Sequence, residues 1–209
     1  MTRRRGFVVV GAGGHAKVVI ATIEASGGEV LTVLDDDPAK RGGILLGHRI
    51  EGPVASVLLR PDASVVLAIG SNRARFVMAS QFEVEWASVV HPSAIVHPSV
   101  ILGPGSVVFA GAILQPDVHV GRHVIVNTGA TIDHDCWVGD FAHIAPRAAL
   151  AGGVCVGEGA FMGIASSAIP GVQVGAWAQV GAGGVVIKSI QPSVTAVGMP
   201  ARPQRREAR

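Results

Sequence analysis

The sequence predicts a two-part protein, an α/β domain followed by an all-β solenoid of short parallel strands. Three observations carry this reading. Apolar residues recur every six positions from Val90 to Val186, a strand, glycine turn and helix start follow one another from Phe7, and the texture changes near residue 87. Residues 1–86 and 87–209 are therefore read as separate domains.

The stretch Phe7-Val-Val-Val-Gly11-Ala-Gly13-Gly14-His15-Ala-Lys17 reads as a buried strand, a glycine-rich turn and the first turn of a helix. Its letters satisfy G-x-G-x-x-A, and Asp35 and Asp36 close the next predicted strand, Val30 to Leu34, where a dinucleotide site places its acidic residue. The 86 residues before the solenoid leave room for one Rossmann-like half, not the two of a full dinucleotide fold. One half can still cradle a nucleotide diphosphate at its helix N-terminus. A second strand-to-turn signal, Val65 to Ile69 followed by Gly70, Ser71 and Asn72, is expected beside the first in a parallel sheet, its turn opening on the same edge. Asp37-Pro38, Gly42-Gly43 and Gly52-Pro53 mark loops, and Trp86 to His91 the junction.

Stepping by six from Val90 meets seventeen apolar residues without an insertion, and four places after each stands a small or modest residue, from Ala94 to Gly184. A strand repeats every two residues and a helix every 3.6, so this period fits neither alone. It fits short strands broken by corners, three hexads to an 18-residue coil, with coils stacked about 4.8 Å apart. Two inward positions per hexad fill the interior. Glycine directly after the apolar residue, at 103, 121, 139, 157, 163, 175 and 181, is expected to supply corner angles that other residues resist. The pattern resembles the left-handed β-helix of hexapeptide-repeat acyltransferases. That resemblance implies the handedness, a homotrimer, and acetyl-CoA as cosubstrate in the grooves between neighbouring β-helices.

Composition excludes other classes. Half the chain is apolar (49%) and mean hydropathy is +0.47, yet no run approaches the ~20 apolar residues of a membrane span. Arg3, Arg4 and Arg5 precede an apolar stretch broken by glycines and Lys17, unlike a secretory signal. Seventeen basic against fifteen acidic residues leave no basic face for nucleic acid. Cys136 and Cys155 lack metal-ligand spacing, so no metal site is expected and both read as reduced thiols of a cytoplasmic protein.

Chemistry is expected at Asn127-Thr-Gly-Ala-Thr-Ile-Asp133-His134-Asp135-Cys136. His134 stands two places after inward Ile132, so it points outward or occupies a corner, with a carboxylate on either side. An imidazole titrating near neutrality suits removal of a proton from an amine or hydroxyl attacking a thioester. The plainer alternative is a solvated histidine between two acids. Gly152, one coil on, would stack beside His134 and offer a backbone N–H to an oxyanion, unless the turn alone requires it. Ile164 and Ala182, also 18 apart, form a second column on another side, suited to an extended pantetheine arm. Neither cysteine is placed next to a histidine, so direct transfer without an acyl-enzyme is expected.

The whole chain, and this segment above all, resembles the bacterial amino-sugar N-acetyltransferases of the PglD and PerB kind, with the related NeuD sialic acid O-acetyltransferases. The resemblance implies His134 as general base, Asp135 as its orienting acid and Asn127 as a polar residue of the acceptor site. It implies His143 near the thioester, and the backbones of Gly152, Ile164 and Ala182 along coenzyme A. Gly11, Gly13, His15, Asp35, Asp36, Gly70 and Asn72 match positions that bind the nucleotide of a UDP- or GDP-linked 4-amino-4,6-dideoxy sugar. PglD has Glu after the base where this chain has Asp135, one methylene shorter, so the carboxylate contact is a looser one from Asp135 or falls to Asp133. Val197-Gly-Met-Pro-Ala201 resembles the closing segment beside the nucleotide end of coenzyme A, with Arg202, Arg205 and Arg206 near its phosphates or forming a basic tail. Rival readings are O-acetylation of sialic acid or another sugar hydroxyl, an NAD-linked oxidoreductase, and a non-catalytic trimeric scaffold.

Overall fold

The computed structural model describes residues 6–60 and 62–204; Arg3 to Arg5, Arg205 and Arg206 lie outside the described residues. The N-terminal part runs β1 (Gly6–Val10), α1 (Gly14–Ala25), β2 (Glu29–Leu34), β3 (Ile44–Leu45), β4 (His48–Glu51), a 3-10 turn (Val54–Leu59), β5 (Ser64–Leu67) and α2 (Asn72–Ala79). Its sheet has the order β3-β4-β2-β1-β5, parallel except for the β3–β4 hairpin. Strands covered on both faces are apolar throughout, which is why Phe7–Val10 of β1 and Val65–Leu67 of the edge strand β5 are unbroken apolar runs. Phe7 and Val9 face α1, whose Ala16, Val19, Ile20 and Ile23 recur at helical spacing. Val8, Val10, Val65 and Leu67 face the opposite way, onto Val54, Val57 and Met78.

From Val89 the chain winds into two-residue strands separated by four-residue corners. Strands 18 residues apart pair in parallel, as Ile125 does with Val107 and His143, and three flat sheets result. Face one carries Val107, Ile125, His143 and Phe161 outward. Face two carries Ile113, Thr131, Ala149 and Ser167, and face three His119, Trp137, Cys155 and Gln173. The predicted inward residues are the core: Leu114, Ile132, Ile144, Leu150 and Met162 are fully buried, and Ala112, Ala130, Cys136, Ala142, Ala148 and Ala160 fill the corners between them. Burying each large aliphatic contributes about 1.5–3 kcal/mol. The period ends at the last coil, where Thr195 pairs with Gln179 only 16 residues earlier and Val197 turns back antiparallel to Arg202.

The in-phase glycines serve a different purpose from the expected one. The left-handed angle falls two residues later, at Gly105, Gly129 and Gly153, and equally at Asp117, Asp135, Arg147 and Trp177. Gly139 and its equivalents are glycine because coils stack too closely for a side chain: a Cβ at Gly139 would lie 2.7 Å from the backbone nitrogen of Glu158 on the next coil.

The N-terminal domain sits on face one. Val89, Val107, Phe109 and Ile125 join the α1 side of its core, so the two parts share one apolar cluster.

Candidate active site

Three groups of predicted residues emerge, each set by one edge of the molecule. The first lies at the corner between faces two and three. Asp135 adopts the left-handed angle (φ 59°), which turns its carboxylate back so that Oδ2 accepts from His134 Nδ1 at 2.7 Å. Asp133 instead caps the backbone, its Oδ1 accepting the His134 N–H at 2.8 Å. The orienting contact thus belongs to Asp135, and the shorter side chain reaches. With Nδ1 so engaged, Nε2 is the atom left to accept a proton. The Asp135 hydrogen bond, followed by the charge of Asp133, raises the pKa of the exposed His134 above its ordinary value. Gly152 stacks one coil above the ring, and a Cβ there would lie 2.6 Å from His134 Cε1 and 2.7 Å from Nε2. Among the described residues, no group of the chain accepts the N–H of Gly152, Ile164 or Ala182. A concavity of about 520 Å³ on face two, lined by Gln115, Thr131, Asp133, Ala151, Ser167 and Ile169, runs up to this corner. Ile164 and Ala182 stand across the same face, at its other corner.

The second group lies beneath the N-terminal domain. His143 is 9% exposed; its Nε2 accepts from Asn127 Nδ2 at 3.0 Å, because Asn127 Oδ1 already accepts the Thr128 N–H. His15, at the start of α1, approaches it with ring centroids 6.4 Å apart. Burial first, then the Arg75 charge, lowers His15 to about 4 and His143 to about 3, so both rings are neutral at pH 7. His143 lies in a strand of face one, whereas His134 stands at the corner between faces two and three, so the two histidines do not share one edge of the solenoid.

The third group lines a cavity of about 430 Å³ at the carboxyl edge of the sheet: Gly11, Gly13, His15, Asp35, Asp36 and Gly70, with Lys40. Gly11 has φ 109°, and a Cβ on it would lie 3.0 Å from the Ala68 carbonyl. At Gly13 and Gly14 a Cβ would meet nothing within 4 Å, so the chain itself does not demand glycine there. Asp35 accepts from the Ala12 N–H at 2.7 Å, from Lys40 Nζ at 3.0 Å and from the Asp37 N–H at 2.9 Å. Burial alone would raise its pKa, but these hydrogen bonds outweigh it and hold the carboxyl below the usual range. Asp36 accepts the Val54 N–H. Asn72 does not line the cavity; its amide donates to Gly159 O and Ala160 O on the solenoid. Arg75 went unnoticed in the sequence, because a single arginine on a short helix carries no motif.

A Rossmann-like half joined to a hexad solenoid, with a carboxylate-bound histidine on one edge, defines a solenoid acyltransferase. Comparison with known proteins is specific. Residues 7–82 match the family model of the PglD N-terminal domain. PerB from Caulobacter crescentus, solved in complex with CoA and GDP-perosamine, is 43% identical, covering 96% of this chain and 97% of that one, with a TM-score of 0.90. The acetyltransferase domain of PglB from Neisseria gonorrhoeae FA1090, solved with acetyl coenzyme A, is 36% identical, covering 97% and 100%, with a TM-score of 0.88. A curated relative, the UDP-N-acetylbacillosamine N-acetyltransferase of Bacillus subtilis (strain 168), is 41% identical over 115 residues, and the match spans about half of either chain (51% and 52%). The chain belongs to the PglD and PerB family of N-acetyltransferases. No helix among the described residues is long and apolar enough to cross a membrane.

Proposed function

We propose that the protein transfers acetyl from acetyl-CoA to the amino nitrogen of a UDP- or GDP-linked 4-amino-4,6-dideoxy sugar. The observation that carries this reading is the His134 corner: Nδ1 bound to Asp135, Nε2 directed away from it, and a Gly152 N–H with no partner among the described residues. PerB, solved with CoA and GDP-perosamine, supports the choice of substrates. The cavity at the N-terminus of α1 takes the nucleotide diphosphate, with Gly11, Gly13, His15, Asp35, Asp36 and Gly70 around it.

Transfer is direct. The amine attacks the thioester carbonyl as its proton passes to His134 Nε2, forming the C–N bond. The Gly152 N–H steadies the oxyanion. The C–S bond then breaks, and the imidazolium returns the proton to the departing thiolate, leaving an amide and CoA. Backbone N–H groups of Ile164 and Ala182 hold the pantetheine arm. Since the His134 corner and the His15–His143 pair lie apart in one protomer, the site is completed between subunits of a trimer. Exposed Ile101 and Trp137 on face three, with Ile164 and Ile169 at the corners of face two, support such an assembly.

A panel of UDP- and GDP-linked amino and hydroxy sugars, assayed for CoA release and product mass, tests the proposal. An amide product is expected, and an ester would overturn N-acetylation. Sedimentation should give three times the 21.3 kDa chain.

A further inference from the structure

Arg75 is the largest fully buried side chain, 1% exposed, and no carboxylate pairs with it among the described residues. Its Nε donates to His123 O at 2.8 Å. Nη1 donates to Ile69 O at 2.9 Å and Gly70 O at 3.2 Å. Nη2 donates to Asn72 Oδ1 at 2.9 Å, Phe141 O at 2.8 Å and Ala142 O at 3.3 Å. All five guanidinium hydrogens thereby face oxygen. Asn72 continues the line, donating to Gly159 O at 3.0 Å and Ala160 O at 3.1 Å. His123, Phe141 and Gly159 stand 18 residues apart, so these two side chains grip three successive coils at one corner of the solenoid.

A buried cation without a counter-charge is costly, and an apolar contact could join two domains at lower cost. The shared core around α1 already does so. What the guanidinium adds is direction: of its carbonyl partners off the solenoid, Ile69 and Gly70 both line the nucleotide cavity, and Gly70 abuts His15. Phe76 packs edge-on against Phe141 and Trp177, and Arg73 lies 4.0 Å over the Trp177 ring, bracing the same helix.

We infer that Arg75 and Asn72 are positioning residues for the acceptor, fixing the cavity wall at Ile69–Gly70 to the solenoid so that a bound nucleotide-linked sugar stands at a set distance from the histidines. This rests on the proposed function. The clasp touches neither face two nor its corners, so it governs the acceptor and not acetyl-CoA.

The test compares Arg75→Met, Arg75→Lys and Asn72→Ala with the parent in the full chain, by steady-state kinetics, calorimetric titration with UDP and GDP, and thermal melting. The KM for the acceptor should rise about tenfold or more in Arg75→Met while that for acetyl-CoA stays within about twofold. Nucleoside diphosphate affinity should fall in parallel, and Arg75→Lys should lie between. A merely structural residue would lower kcat and both affinities together, and that outcome, or an unchanged acceptor KM, overturns the inference. Should Arg75→Met not fold, Asn72→Ala decides by the same ratio of KM values. If the parent turns over no nucleotide-linked amine, the proposed function fails, while the titration with UDP and GDP still judges the clasp.

Discussion

The imidazole of His134 lies against Gly152 on the next coil, so close that a single added methyl carbon would sit 2.6 Å from Cε1 and 2.7 Å from Nε2. Gly152 lacks the left-handed angle of its neighbour Gly153, so its backbone conformation is one alanine also adopts. Gly152→Ala should therefore fold normally, yet displace the ring from its bond to Asp135. A displacement of about 1 Å costs on the order of 10²-fold in rate. Melting should be nearly unchanged and KM for acetyl-CoA similar, with the loss in kcat. Full turnover in Gly152→Ala would remove this stacking from the mechanism.

A general base works only when neutral. Because Asp135, and after it Asp133, raises the pKa of His134 above the ordinary 6.5, kcat/KM should climb with pH through that raised value and level off above it. Asp135→Asn removes the negative acceptor while keeping a residue that tolerates the left-handed angle. Its acid limb should move to lower pH and its plateau fall about tenfold. If the limb stays where it is in the parent, Asp135 does not set the protonation of the base.

The repeat made the solenoid legible because inward positions are chosen for apolar character and volume, and both recur. Ile132, Cys136 and Leu150 could be placed inside, and His134 and Gly152 stacked, by counting in eighteens. Two things escaped that count. Which face the N-terminal domain covers depends on the outward residues Val107 and Ile125 meeting α1, and no period within the solenoid encodes that encounter. Hence neither the burial of His143 beside His15 nor the task of Arg75 could be read. The carboxylate partner of His134 stayed open between Asp133 and Asp135 for a local reason: it is decided by φ at 135, and aspartate is only one of several residues found at that corner position.

Two kinds of glycine should separate in stability. In Gly139→Ala the new methyl meets backbone of the next coil, 2.7 Å from the nitrogen of Glu158 and 2.9 Å from the carbonyl carbon of Gly157. Neither can move without shifting a coil, and overpacking of this kind costs about 1–3 kcal/mol. In Gly153→Ala nothing lies within 4 Å, and the cost is the left-handed angle alone, about 1 kcal/mol. Denaturant titration should rank Gly139→Ala below Gly153→Ala, and the reverse order would sink the account of coil stacking.

Gly13 offers the converse case, a glycine the fold does not need. Its φ of −91° and ψ of −172° are open to any residue, a Cβ meets nothing within 4 Å, and it lines the cavity at the start of α1. No acidic side chain occupies the first turn of that helix, which leaves its N-terminus free for an anion. Gly13→Val should melt with the parent and keep its KM for acetyl-CoA, since face two lies elsewhere. Affinity for UDP or GDP should drop about tenfold or more, because the branched side chain occupies the space through which a diphosphate reaches the N–H groups. Calorimetric titration in parallel with melting separates these effects. If Gly13→Val binds nucleoside diphosphate as tightly as the parent, the diphosphate does not lie against this turn, and the cavity must be reassigned.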